Sequence, residues 1–276
     1  MRKQSALGFT LLELVVVVAV LVILAGILLP KFDLFKLKAN KGVAASNMTD
    51  VSRIIQTYFA QNAIYPDNWD SLMTPASGTG GGTPGALWNT ANKSPDGGQL
   101  EPQLVGGPPT SASPNKLTLL AGGLTAGEAR SLGRIGITNI LDVEATADAA
   151  PNDRFTLTHQ RPIATTTVLA TLNTGVVTSG GGGADEDANN IQAHIYPNGV
   201  PANKRLVVLG FGSHNTSIGN LVQEVPFYPN TDVTKYYSRF LAIFEVDDGG
   251  GRANLMSVVG ADGDQIGEEI ADYYER

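Results

Sequence analysis

Hydrophobic residues are distributed unevenly along this chain of 276 residues. A predominantly apolar stretch runs from Phe9 to Leu29, and its only charged side chain is Glu13. As a helix rising about 1.5 Å per residue, this stretch would be about 32 Å long, which matches a bilayer core of about 30 Å. Ionisable side chains are costly in such segments and usually mark a functional contact. The pattern predicts an apolar helix in which Glu13 has a specific partner.

The hydrophobic periodicity changes after Pro30. Apolar residues then recur at three- and four-residue spacing to about residue 61, which is typical of an amphipathic helix. These residues are Val43, Met48, Val51, Ile54, Ile55, Tyr58 and Phe59. We predict one long helix with an apolar half over 9–29 and an amphipathic half over 30–61, loosened at Pro30 because proline lacks an amide hydrogen. The alternative is that one helix ends at Pro30 and another begins near Ala44.

Residues 62–276 are predicted to form a globular α+β domain. Within it, residues 74–115 are rich in glycine and proline, which predicts loops that bury little apolar surface, with Leu87 and Trp88 as candidate anchors. Apolar runs rich in β-branched residues predict strands. The predicted strands cover residues 135–143, 155–158, 164–177, 193–196, 205–211, 240–246 and 255–259, and the last two are expected to pair.

Two helices are predicted in this domain. Thr125 and Glu128 have the spacing of a capping box, which predicts a short helix to about Arg134. A further helix is predicted over 265–274.

Composition excludes several kinds of function. The chain has 26 acidic and 19 basic residues, a net charge of −7, which disfavours nucleic-acid binding. It has no cysteine and therefore no disulfide or thiolate metal site. His159, His194 and His214 lack metal-binding spacing, and Ser213 beside His214 does not make a catalytic triad. No enzymatic activity is predicted.

The residues at the start of the apolar stretch carry a family resemblance. Gly8-Phe9-Thr10-Leu11-Leu12-Glu13-Leu14 follows a short basic leader and precedes a long apolar helix. This arrangement resembles the class III signal of type IV pilins and type II secretion pseudopilins. The resemblance implies that a prepilin peptidase cleaves after Gly8, that Phe9 becomes an N-methylated terminus, and that Glu13 pairs with the terminal amine of a neighbouring subunit. Many members of the family have a helix-kinking proline where Pro30 stands.

Two other interpretations of this segment stay open. A secretory signal peptide would be cleaved before Gly26, although an acidic residue near the start of its apolar region argues against it. A plain single-span anchor would let Glu13 reach the cytoplasmic headgroups.

The end of the long helix is similar to that of major pseudopilins. In that group an aromatic-rich helix end is followed by a Tyr-Pro turn and a short helix, which here would be Tyr65-Pro66 and the residues from Trp69 onward. Ala63 stands where the family often has glycine, and alanine is less favourable in a left-handed helix stop.

Acidic residues near the C-terminus are candidates for calcium binding, because hard cations need several oxygen ligands. The candidates are Asp247, Asp248, Asp262 and Asp264. Major pseudopilins bind calcium in a C-terminal loop, so the resemblance also implies this ion. Alternatively, Asp247 and Asp248 occupy a solvated hairpin turn. Residues 262–269 would then be the start of a helix, where acidic side chains interact favourably with the positive end of the helix dipole.

Together these observations predict a pilin-like α+β fold, with a long helix packed on an antiparallel sheet and an enlarged, loop-rich C-terminal domain. The expected function is that of a structural subunit in a helical homo-oligomeric filament, either a pilus or a secretion pseudopilus. Its expected partners are the prepilin peptidase, the assembly machinery and, before assembly, the bacterial inner membrane, which it would cross once. After assembly it would lie in a periplasmic or extracellular filament. The alternative is a minor pilin or surface adhesin.

Overall fold

The computed structural model describes residues 11–73, 87, 99–101, 104, 116–120, 122–142, 160–172, 191–192, 194–229, 231 and 235–275. Its longest element is helix α1, Leu11–Asn62, whose 52 residues span about 78 Å. The helix continues through Pro30, so the alternative of two helices separated there is wrong. It ends one residue beyond the predicted position.

The globular domain packs on the C-terminal half of α1. The buried residues of that half are Ala44, Ala45, Met48, Val51 and Ile55, most of them spaced so that they share one face. Val43, predicted to belong to this stripe, is 48% exposed because Ala44 occupies the contacting face.

Among the described residues, eight strands form one mixed sheet. They are β1 Trp69–Asp70, β2 Leu117–Leu119, β3 Asn139–Leu141, β4 Gln160–Pro162, β5 Ala170–Leu172, β6 Lys204–Gly210, β7 Leu241–Asp247 and β8 Asn254–Val259. Two further helices accompany the sheet, α2 Ala126–Gly133 and α3 Ile266–Glu275.

Strand β6 organises the sheet. One edge pairs antiparallel with β7 along its whole length, and β7 pairs antiparallel with β8 as predicted. The other edge of β6 pairs first with β5 and then with β1. Strand β2 extends the sheet from β5, while β3 and β4 extend it from β1.

The prediction of an antiparallel sheet is wrong at β1, which pairs parallel with β3. The carboxylate of Asp67 accepts hydrogen bonds from the backbone amides of Thr138 at 2.9 Å and Asn139 at 2.8 Å. These bonds hold the chain alongside β3 just before Trp69. Trp69 and Asp70 therefore continue as a strand, and the short helix expected there is not formed.

Both faces of the sheet are buried because side chains alternate along each strand. Val207 and Leu209 of β6 belong to the cluster that includes α1, whereas Leu206 and Val208 belong to a second cluster on the other face. Leu100 and Leu104 are almost fully buried in that second cluster. The expectation that residues 74–115 bury little apolar surface is wrong at these two positions. Leu87 packs there as an anchor, as predicted, and Trp88 lies outside the described residues.

The remaining element predictions have mixed outcomes. The capping box is confirmed, since the Glu128 amide donates to Thr125 Oγ1 at 3.1 Å and the Thr125 amide donates to Glu128 Oε2 at 2.8 Å. Helix α3 is confirmed within one residue at each end. The strand predicted over 193–196 is wrong, because the Tyr196 amide closes a helical turn onto the Gln192 carbonyl. The strand predicted over 155–158 lies outside the described residues.

Replacing Ala63 with glycine is expected to stabilise the folded protein by about 1 kcal/mol. Ala63 has φ of 58° directly after α1, and its amide donates to the Phe59 carbonyl at 2.8 Å. A side chain is disfavoured in this left-handed conformation, whereas glycine adopts it readily. Urea denaturation of the two chains measures the difference, and a lower midpoint for Ala63→Gly would contradict the expectation.

Candidate functional site

The apolar half of α1 is exposed. Leucine, valine and isoleucine side chains on all sides of the helix are accessible from Leu11, which is 81% exposed, to Leu24, which is 49% exposed. Soluble domains rarely expose a continuous apolar surface of this extent. Glu13 lies in the first turn of the described helix and is exposed beside these residues. The segment therefore has the surface of a helix that is covered by other helices or by lipid.

A short basic and apolar segment connects this half to the globular domain. Residues 31–38 contain three lysines, of which Lys31 and Lys36 are exposed. Phe32, Phe35 and Leu37 alternate with them and are 64%, 69% and 43% exposed. We call residues 31–38 the connecting segment.

A cluster of three carboxylates lies where α1 enters the globular domain. Asp262, Asp264 and Glu269 each place a carboxylate oxygen within 4.8 Å of the others. Lys41 of α1 pairs with Asp264 at 3.0 Å and with Glu269 at 3.1 Å. Lys116, just before β2, pairs with Asp264 at 3.2 Å. The two lysines and three carboxylates, which we call the carboxylate cluster, join α1, the start of α3 and the edge of the sheet.

Tyr228 also contacts the carboxylate cluster. Its hydroxyl lies 2.7 Å from Asp262 Oδ2 and also contacts Glu269 Oε1 closely. A phenol has one hydrogen to donate. Both carboxyl groups hydrogen-bond to this oxygen, so one of them has to be the donor. The geometry therefore favours a proton on Glu269 or Asp262.

Burial and neighbouring charges set the protonation of the cluster. Burial raises the pKa of Glu269 to about 7, although Tyr228 and Lys41 act in the opposite direction. Burial and the nearby Asp264 also raise the pKa of Asp262. Burial would raise the pKa of Asp264 as well, but the charges of Lys116 and Lys41 outweigh it, and that pKa is lowered. The pKa of Lys41 is raised, because the charges of Asp264 and Glu269 outweigh the effect of burial.

The free energy of unfolding is expected to fall as the pH rises from about 4.5 to about 7. The pKa of Glu269 is about 7 in the folded protein against an ordinary value of 4.5, so the folded state binds an extra proton between these values. Glu269→Gln should flatten this slope. Urea denaturation between about pH 4.5 and pH 8 measures it, with the exposed Glu224→Gln as the matched control. An unchanged slope in Glu269→Gln would contradict the assignment.

The four calcium candidates do not form one site. Asp247 ends β7 and Asp248 follows it, whereas Asp262 and Asp264 come after β8. The antiparallel pairing therefore places the two pairs at opposite ends of the hairpin. Asp247 accepts from the Gly249 amide at 2.9 Å and pairs with Lys204 at 3.5 Å, which agrees with the alternative of a hairpin turn. The hydrogen bond from Gly249 contributes most to lowering the pKa of Asp247.

Asp262 and Asp264 do come together, but their surroundings do not suit a cation. Lys41 and Lys116 already contact the oxygens that calcium would need, and a divalent ion beside two ammonium groups would be repelled. The Gln265 amide donates to Glu268 Oε2 at 2.7 Å at the start of α3, in agreement with the alternative of a helix start. Calcium binding stays a prediction, and the lysines argue against it.

Comparison with known proteins identifies a family motif at the start of the chain and similar curated proteins. The prokaryotic N-terminal methylation motif matches residues 3–29. This motif includes Glu13 and the start of α1. The chain is also similar to the type IV wide pilus major component PilA4 of Thermus thermophilus, with 32% identity over 71 residues, which are 26% of this chain and 54% of that protein.

Two type II secretion proteins are also similar to this chain. The type II secretion system core protein G of Klebsiella michiganensis is 36% identical over 73 residues, covering 26% of this chain and 51% of that protein. Core protein G of Vibrio cholerae is 39% identical over 66 residues, which are 24% of this chain and 44% of that protein. The chain thus spans about half the length of the curated relatives it matches. No solved structure matches the chain significantly.

The structure describes only part of the predicted processing and assembly site. Glu13 and Pro30 lie in α1, and Glu13 also lies within the matched motif, whereas Gly8 and Phe9 lie outside the described residues. Within the described part of the chain, no helix has the length and hydropathy of a candidate membrane span.

The carboxylate cluster was not predicted as a unit: the sequence indicated its acids but not Lys41, Lys116 or Tyr228. No local pattern could have indicated them, since Lys41 and Asp264 are 223 positions apart.

Proposed function

We propose that the chain is a structural subunit of a type IV pilus-like or type II secretion pseudopilus filament. A prepilin peptidase cleaves it after Gly8, Phe9 is N-methylated, and the apolar half of α1 packs against the same helix of other subunits. The chain catalyses no reaction. The observation that carries this proposal is the exposed apolar helix within a segment that matches the N-terminal methylation motif.

The proposed assembly contact follows from the energetics of Glu13. A carboxylate enclosed by apolar helices is destabilised unless it meets a positive charge, and the terminal amine that cleavage creates at Phe9 supplies one. The amine exists only after cleavage, so processing would make the subunit competent for assembly. A pair between Phe9 of one subunit and Glu13 of the next also sets the axial offset of parallel helices, about four residues or about 6 Å.

Before assembly the subunit is held in the bacterial inner membrane by the apolar half of α1, with its globular domain outside the cytoplasm. The leader lysine and arginine keep the N-terminus on the cytoplasmic side. After assembly the domain forms the outer layer of a periplasmic or extracellular filament. None of the relatives reported above is named as an adhesin, and no specific observation favours that alternative.

Mass spectrometry of the N-terminal peptide tests the processing step. The proposal predicts a mature chain that begins with N-methylated Phe9 in cells that contain the peptidase, and an intact chain that begins at Met1 in cells that lack it. A mature N-terminus at Gly26 would indicate a secretory signal peptide and would contradict the proposal. A chain that keeps its leader in peptidase-containing cells would contradict it as well.

A further inference from the structure

Helix α3 presents a second apolar surface, which the described residues of its own chain leave exposed. Ile266, Ile270 and Tyr274 are 40%, 45% and 77% exposed and recur every four residues, so they form one stripe along the helix. Glu269 and Tyr273 lie toward α1, where Glu269 pairs with Lys41 and Tyr273 lies over Gly42. The stripe therefore lies beside the contact that holds α3 in place and is exposed.

The charge of α3 limits what can cover this stripe. Its sequence contains four carboxylates and no basic residue, namely Glu268, Glu269, Asp272 and Glu275. An anionic lipid surface would be repelled by such a helix. A partner with exposed apolar side chains and positive charge would be attracted.

The connecting segment combines exposed apolar side chains with positive charge. It carries Lys31, Lys36 and Lys38 against one acidic residue, Asp33, together with exposed Phe32, Phe35 and Leu37. The next lysine along the same helix, Lys41, already pairs with α3 inside one chain. A second copy of the chain can therefore repeat, between subunits, a contact that the structure contains within one subunit.

The proposed helix offset brings these two surfaces to the same level. If Phe9 of one subunit lies beside Glu13 of its neighbour, each residue lies level with the residue four positions later in that neighbour. Leu37 and Lys38 then lie level with Lys41 and Gly42, where α3 packs on α1. This step rests on the proposed function, because it uses the proposed pairing.

We infer that the stripe of Ile266, Ile270 and Tyr274 on α3 is a docking surface for the connecting segment of an adjacent subunit. The contact combines apolar burial with attraction between lysines and the acidic helix. It would fasten the C-terminal end of each globular domain to the helix of its neighbour, beyond the packing of the apolar helix halves.

Crosslinking in filaments tests this inference, since the chain has no cysteine of its own. Two differently tagged copies are co-expressed, one with Leu37→Cys and the other with Ile270→Cys, and treated with a short bifunctional thiol reagent. Ile64→Cys is the matched control, because Ile64 is an isoleucine with a similar exposed fraction of 41%, two residues beyond the C-terminal end of α1. We expect at least about tenfold more mixed dimer for the 37–270 pair than for the 37–64 pair, because neighbouring positions react at a high effective concentration.

The outcomes separate this inference from the proposed function. Filaments that form normally but give no excess of the 37–270 dimer would overturn the inference and leave the proposed function standing. An unsubstituted chain that forms no filaments would overturn both. As a second measurement, Ile270→Glu should reduce filament yield at least about tenfold relative to Ile64→Glu, with melting of the globular domain unchanged. Equal yields of the two variants would contradict the inference.

Discussion

Glu13→Leu is expected to reduce incorporation of the subunit into filaments at least about a hundredfold. The substitution makes the apolar half of α1 more hydrophobic, so it should not impair membrane retention. It removes the carboxylate proposed to receive the Phe9 amine of a neighbouring subunit. Leaving one member of such a pair enclosed without its partner costs about 3–5 kcal/mol, and each 1.4 kcal/mol corresponds to about tenfold in an equilibrium.

The measurement compares the amount of subunit in sheared filaments with the amount in the membrane fraction by immunoblot. Glu13→Asp is the matched control, because it keeps the charge and shortens the side chain by one methylene. We expect it to retain most of the incorporation. If Glu13→Leu is processed normally and incorporated as well as the unsubstituted chain, the pairing mechanism is wrong.

Lys41→Met is expected to lower the free energy of unfolding of the globular domain by about 3 kcal/mol at about pH 8. Lys41 contacts Asp264 and Glu269 at 3.0 and 3.1 Å, and Glu269 is fully buried. Removing the ammonium group leaves that carboxylate ionised without its nearest cation, while Lys116 still pairs with Asp264. At about pH 5 the loss should be smaller, because Glu269 is protonated below its pKa of about 7.

Urea denaturation of the full chain in detergent at both pH values tests this expectation. Lys36→Met is the matched control, since Lys36 is an exposed lysine on the same helix and its loss should change stability by less than about 0.5 kcal/mol. The double variant Lys41→Met with Glu269→Gln should recover most of the lost stability at about pH 8. A loss of similar size for Lys36→Met, or a loss that grows at low pH, would show that the cluster does not stabilise the fold in this way.

Features that depend on neighbours in sequence could be predicted. The capping box at Thr125 and Glu128 joins residues three positions apart, and the structure contains both of its hydrogen bonds. The β7–β8 hairpin and helix α3 follow from short apolar runs and turn residues. The motif around Glu13 is also local, and residues 3–29 match the prokaryotic N-terminal methylation motif.

Features that depend on distant contacts could not be predicted. Asp67 holds β1 beside β3 by accepting hydrogen bonds from backbone amides about 70 positions later in the chain. A strand therefore forms where a helix was expected. Lys41 has no acidic neighbour in the sequence that would indicate its role, and its partners lie at the other end of the chain. Val43 fits the periodicity of the helix, but the packing of the globular domain selects the neighbouring Ala44. The spacing of hydrophobic residues predicts whether a segment is a helix or a strand, whereas tertiary contacts decide which of its faces is buried.

Electron microscopy of sheared material, with an antibody against the globular domain, tests the central claim most directly. The account predicts filaments that bind the antibody along their length in cells that make the unsubstituted chain, and their absence in cells that make Glu13→Leu at the same level. Cells that accumulate the processed chain without any labelled filament, at the surface or in the periplasm, would contradict it.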